Sequence, residues 1–305
     1  MTDRAKPTQR RRVEQFFVRN IAWLFGCLVQ VLPLRTLQRI GNVVGLLMMA
    51  TTPWRQKLAY RNMHAVFGDK YNARERRRLR RLVTQGFCKA MLELLKVNYM
   101  TPDQIRQVVR AEGLEHLRAA AQTGNGVIVL TGHFGNDELA NPFLAIEGLP
   151  LCMVSRAAPS GSVEAMFRRS RERHGGRIVD RNDVRGMLKV LRQGGTLGIL
   201  PDQHAKAGGI LGTFLGLPAS NAPGTAVLAA RTGSPIVPVF AFRQPDDSFI
   251  CRVYPPLKLQ DTGDREADVA PNTQIIMYAI GDRIRESPQQ WLWLHDRWRP
   301  HDAGK

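Results

Sequence analysis

The sequence predicts an α/β fold: a largely parallel mixed sheet flanked by helices, with an N-terminal apolar membrane-associated helical segment. Three observations carry this. From residue 113 onward, short apolar or β-branched runs alternate with helix-period segments. A length of 305 residues fits one large α/β domain, or a domain plus a smaller appendage, and an apolar fraction of 44% describes a folded body and excludes a polytopic membrane protein. Two apolar runs, 16–34 and 41–53, precede that body, and polar residues or shortness make each an uncomfortable bilayer span. The expected organisation is a basic N-terminus and membrane-associated apolar segment over 1–52, then an α/β domain over 53–305.

In chain order, the opening MTDRAKPTQRRR is basic, and Arg10, Arg11 and Arg12 ahead of the first apolar run favour a cytoplasmic N-terminus. That run lacks the small-residue cleavage site of a secretory signal. Asn72 followed by Glu75 forms a capping box. Leu79, Leu82, Val83, Phe87, Met91, Leu94 and Leu95 then mark one face of a long helix. Its first turns carry Arg74, Arg76, Arg77, Arg78, Arg80 and Arg81. Cations there oppose the helix dipole at ~0.3–1 kcal/mol each, so the run reads either as a solvated face or as a docking patch for lipid headgroups or an acidic partner. Next come a helix 113–122, a strand 126–131, a helix 137–147, a strand 151–156, a helix from about 161 to 174 and a strand 177–180. A helix 183–193, the strand TLGILPD, a glycine-rich loop and a helix 223–232 follow. Two strands (IVPVFAFR and FICRVYPPLKL), a helix 270–286 and the aromatic WLWLHDRW complete the chain.

Ligands of open α/β sheets bind outside the carboxyl ends of the strands. Four strands here end in polar residues: His133 after the first, Arg156 after the second, Asp180 and Arg181 after the third, Asp202 and Gln203 after the fourth. In GVIVLTGHFGNDELA, Asn136 caps the next helix and Glu138 falls in its first turn, where its carboxylate can face the imidazole of His133. A carboxylate on one ring nitrogen raises the basicity of the other, and a base so placed contributes roughly 10²–10⁴ in rate. Asp137 is expected to project elsewhere. His64 with Asp69 repeats the spacing, but no strand precedes it, so that pair reads as structural or superficial.

No G-x-S-x-G elbow and no Cys beside a His supports an enzyme-bound acyl intermediate. No dense ligand cluster suggests a metal, and no Walker A loop a nucleotide. Cys27, Cys88, Cys152 and Cys251 lie far apart, as apolar fillers in a reducing compartment do. The glycine-rich loop 208–216 reads as an ordinary flexible lid. The net charge of +18 attracts polyanions, while sparse aromatics among the arginines argue against nucleic acid. What remains is base-assisted attack by a substrate's own hydroxyl, without a cofactor.

The segment AEGLEHLRAAAQTGNGVIVLTGHFGNDELA closely resembles the lipid A biosynthesis acyltransferases, relatives of the glycerolipid acyltransferases. RNMHAVFG, VSRAAPSG, GILPDQ, FLGLPASNAPGTAVLAARTGSPIVPVF and QWLWLHDRWRP resemble further blocks of that family. The resemblance implies a glycerolipid acyltransferase-like fold at the cytoplasmic face of the inner membrane, held by an N-terminal anchor. It implies transfer of a fatty acyl chain from acyl carrier protein to a hydroxyl of an anionic glycolipid or phospholipid acceptor. By position it makes His133 the base, Glu138 its orienting partner, Arg156 a phosphate or oxyanion ligand, and Asp202 the acid of the third block. Gln203 and Arg181 are the further substrate-binding candidates. HAKAGGILGTFLG after PDQ departs from the family's more aromatic stretch. A non-catalytic membrane-tethered polyanion binder and an acyl thioesterase using the same site are the alternative readings.

Overall fold

The computed structural model describes residues 26, 28–155, 168, 171–206 and 208–299. Arg156, most of the expected helix 161–174 and most of the first apolar run lie outside the described residues. Ahead of the body lie the helices α1 (Leu34–Thr51), α2 (Pro53–Phe67) and α3 (Ala73–Val97). The body follows as α4 (Pro102–Val108), β1 (Val109–Glu112), α5 (Leu114–Ala121), β2 (Val127–Leu130), α6 (Asp137–Ile146), β3 (Leu151–Ser155) and β4 (Arg177–Asp180). After these come α7 (Val184–Arg192), β5 (Thr196–Ile199), β6 (Ile210–Phe214), β7 (Leu217–Asn221) and α8 (Gly224–Thr232). The last elements are β8 (Ile236–Arg243), β9 (Phe249–Val253) and α9 (Val269–Glu286).

Seven strands form one sheet in the order β1-β9-β8-β2-β5-β3-β4. All neighbours are parallel except β8 and β9, so the expected largely parallel mixed sheet is what forms. Central β2 is buried along its whole length, and its alternation explains why. Ile128 and Leu130 join the core on one face with Leu197, Ile236 and Phe240. Val127 and Val129 join the other with Val237, Val239 and Met153. Each such side chain contributes about 1.5–3 kcal/mol through burial, which fixes the register and places the end of β2 beside the end of β5.

The Asn72–Glu75 capping box is present at the start of α3. Arg74, Arg77, Arg78 and Arg81 are exposed on its first turns, whereas Arg76 donates to the carbonyls of Gly68 and Tyr71 and lies over the Tyr60 ring. Cys88, Cys152 and Cys251 are free and buried.

The described residues give no support to an apolar anchor. Among the described residues no helix is long and apolar enough to cross a membrane. Instead α1 is amphipathic: Leu37, Gln38, Gly41 and Gly45 face inward toward α3, while Val43, Val44, Leu46 and Leu47 are exposed. The reading of the glycine-rich loop is corrected, since most of it is the β6–β7 antiparallel hairpin. Its two-residue turn holds Leu215 and Gly216 at φ +55° and +89°, the positive pair that a tight hairpin turn requires.

Candidate active site

His133 ends the β2 strand in a turn whose backbone is held from several sides. Gly135 has φ +62°, and a β-carbon there would lie 1.7 Å from the Ala241 carbonyl, so the position accepts only glycine. Its N–H donates to the Gln290 carbonyl at 2.9 Å, and the His133 carbonyl accepts from Leu292 at 3.1 Å. Asn136 caps α6 through the Glu138 N–H. The Asn136 amide donates to the fully buried Glu93 at 2.7 Å, and Glu93 is held bidentately by Arg243. Buried ion pairs reached from both sides in this way persist because every lone pair is used.

Asp202, 1% exposed at the end of β5, is the residue that meets the imidazole. Its Oδ1 lies 2.8 Å from His133 Nδ1. Its Oδ2 accepts from the His133 backbone N–H and from the Trp291 indole, each at 2.8 Å. A carboxylate can only accept, so Nδ1 carries the proton and Nε2 is the basic nitrogen when the ring is neutral. The Gln203 Nε2 sits 3.2 Å from that Nε2.

The expected contact of Glu138 with His133 does not form, and this is a correction. Glu138 is buried in the first turn of α6 and pairs with Arg171, at 2.5 Å and 3.2 Å. Turning away from the imidazole gives its buried charge a bidentate partner, which a neutral ring would not supply. Asp137, expected to project elsewhere, lines the same cleft as His133. Arg181 is exposed after β4, three strand positions from β2 in the sheet order, or about 14 Å at the usual strand spacing. His64 is exposed on α2, stacked near Tyr60, as its superficial reading anticipates.

The electrostatics follow from this packing. Burial disfavours the imidazolium, but the Asp202 charge and hydrogen bond, with Asp137 and Glu138 behind them, push His133 up to about 9. Burial alone would raise Asp202. The His133 charge and the ring, indole and backbone hydrogen bonds outweigh it and hold Asp202 down at about 2. Burial and the neighbouring Glu138 push Asp137 up to about 6, against the pull of His133 and Arg171.

His133 opens onto a cleft of about 810 Å³ bounded by α3, the end of β8 and the closing segment around Trp291. Sequence reasoning missed Trp291 as a partner of Asp202, although it singled out the aromatic motif that carries it. It also missed Arg171 and the Glu93–Arg243 pair. Among the described residues no group of His, Cys, Asp and Glu is arranged to hold a metal ion. The arrangement is a polarised imidazole, its second nitrogen met by the Gln203 side chain, at the edge of a large partly apolar cleft.

Residues 5–300 match the family described as bacterial lipid A biosynthesis acyltransferase. The chain is 25% identical over 296 residues to the lipid A biosynthesis palmitoleoyltransferase of Escherichia coli (strain K12), covering 95% of this chain and 92% of that one. It is 25% identical over 291 residues to the lipid A biosynthesis lauroyltransferase of the same strain, covering 93% and 91%. A phosphatidylinositol mannoside acyltransferase of Mycolicibacterium smegmatis is 24% identical over 218 residues, covering 70% of each chain. With a matching family over nearly its whole length and a polarised histidine at the carboxyl edge of its sheet, this chain belongs to the bacterial lipid A biosynthesis acyltransferases.

Proposed function

We propose that this acyltransferase moves a fatty acyl chain from acyl carrier protein to a hydroxyl of a lipid A precursor or related glycolipid. The observation that carries the reading is the His133–Asp202 pair, 2.8 Å long, at the edge of a cleft that His133 lines. The acceptor hydroxyl gives its proton to His133 Nε2 as its oxygen attacks the thioester carbonyl. The tetrahedral intermediate collapses, the carbon–sulfur bond breaks, and the departing thiolate recovers the proton from the imidazolium. The ester stays on the acceptor and the thiol on the carrier, so no enzyme-bound acyl group is needed. Asp202 fixes the tautomer and stabilises the imidazolium, and Asp137, then Glu138, add negative charge behind it. Arg156 keeps its sequence-based role as a ligand of substrate phosphate or of the oxyanion.

The relatives' names support a glycolipid acceptor, and the +18 charge suits an acidic carrier and a phosphorylated lipid. Membrane association belongs to the same reading. The exposed apolar residues of α1, with Trp54 (64% exposed) next to them in sequence, and the exposed Arg35 and Arg39 suit a helix lying in an anionic lipid surface.

The test supplies membranes from expressing cells with carrier-bound acyl groups and total lipid extract, and scores lipids that gain a chain by mass spectrometry. One lipid class should gain a chain with wild type and with His64→Ala, and not with His133→Ala. Equal acylation by all three would remove His133 from the chemistry. Free fatty acid released equally fast with and without acceptor would make the protein a thioesterase.

A further inference from the structure

Glycine in a helix interior is destabilising relative to alanine and calls for a reason. Two of the glycines in the α1–α3 pair have one. A β-carbon on Gly41 would lie 2.9 Å from Lys89 Cα, and one on Gly45 would lie 2.7 Å from Gln85 Cα, so both allow the helix backbones to touch. Gly86 has no such reason. It sits in the middle of α3, and no described atom lies within 4 Å of where its β-carbon would be. What its missing side chain faces is the cleft.

The cleft runs along α3. Arg78, Leu82, Gly86 and Ala90 recur at four-residue spacing and all line it, with Phe87 and Met91 beside them. One turn beyond Ala90, Glu93 is bonded to Asn136 in the histidine turn, so the Ala90 end is the reacting end. Arg78 lies twelve residues away, about 18 Å at the helical rise. From His133 the cleft therefore follows a floor that is apolar and low at Ala90 and Gly86, and ends at a cation.

We propose that this trough holds the donor's fatty acyl chain, and that side-chain size at position 86 sets the longest chain the enzyme accepts. The inference rests on the acyl-transfer reading above. A straight aliphatic chain fits against the apolar α3 residues of this groove (Leu82, Phe87, Ala90 and Met91), across a middle that lacks a side chain, while polar residues such as Lys89, Arg243 and Asp247 line its other parts. Its thioester carbon then lies beside the imidazole. One methylene more or less in such a pocket changes discrimination by roughly 10–200-fold, so filling the trough at one point should shorten the profile sharply.

The experiment gives the purified full chain an equal mixture of carrier-bound acyl groups of different lengths, with glycolipid acceptor, and reads the lengths transferred. It compares wild type, Gly86→Ala, Gly86→Leu and Ala90→Leu with Ala65→Leu, which adds the same bulk at an exposed position of α2. The profile should shift stepwise to shorter chains from wild type through Gly86→Ala to Gly86→Leu. The longest chain should lose at least about tenfold relative to the shortest. Ala90→Leu should shift it in the same direction, and Ala65→Leu should not. An unchanged profile in folded Gly86→Leu and Ala90→Leu overturns the proposal while leaving acyl transfer intact. So does a change in acceptor preference with donor lengths unmoved, which would put the acceptor's chains in the trough. Failure of wild type to transfer any chain defeats the acyl-transfer reading itself, and the assignment of the trough with it.

Discussion

At the scale of single residues, the chemistry rests on which acid touches His133. The strand-end position of His133 and of Asp202 was legible in the sequence, because buried apolar runs with polar termini mark the functional edge of a parallel sheet. Their pairing was not legible. Local spacing pointed to Glu138, but the contacts that decide the matter come from Asp202 and Trp291, 69 and 158 residues along the chain. No periodicity reports such contacts. Trp291 matters through its N–H, which occupies a lone pair of a carboxylate that is 1% exposed. Trp291→Phe keeps the aromatic packing and removes that donor. Urea unfolding should show a loss of about 1.5–3 kcal/mol, the usual worth of a hydrogen bond to a buried charge. Stability equal to wild type would mean that the indole only fills space.

Elements were read well wherever periodicity was strong. The capped α3, the four-residue β2 and the long α9 all fall within a few residues of expectation. The misses have physical causes. β1 is only VRAE, an edge strand whose half-exposed pattern looks like loop. The β6–β7 hairpin hides behind its glycines, because a turn with two positive φ values puts Gly216 where flexibility was inferred. Packing between elements has its own test in Glu93, which ties α3 to β8 and to the cap of α6. Removing its charge strands a mostly buried Arg243. Glu93→Gln should cost about 3–5 kcal/mol in chemical denaturation, and a change below 1 kcal/mol would mean that water or a rearranged Asp247 replaces the pair.

For the whole molecule, the excess of positive charge and the exposed apolar face of α1 together suit a surface that is both anionic and apolar. The first apolar run contributed to an expectation of an anchor that only its helical neighbour can be compared with. There the hydrophobic residues proved to be shared between a packed face and an open one. Flotation with anionic vesicles should therefore weaken with rising salt, as screening shortens the reach of the arginines, and should weaken further in Leu47→Ser. Neutral vesicles binding as strongly as anionic ones would remove the electrostatic part of this reading.

The central claim is that His133, raised by Asp202, takes the acceptor's proton, and kcat/KM against pH for wild type and Asp202→Asn tests it most directly. The base acts only when neutral, and its pKa is raised, so wild-type kcat/KM should climb with pH, reach half its plateau near 9 and level off above that. Asp202→Asn removes the charge that raises the ring. Its limb should move down toward the ordinary imidazole range near 6.5, with the plateau lower by roughly 10²–10⁴. Identical limbs and plateaus in the two proteins would contradict the account and return the pair to a structural role.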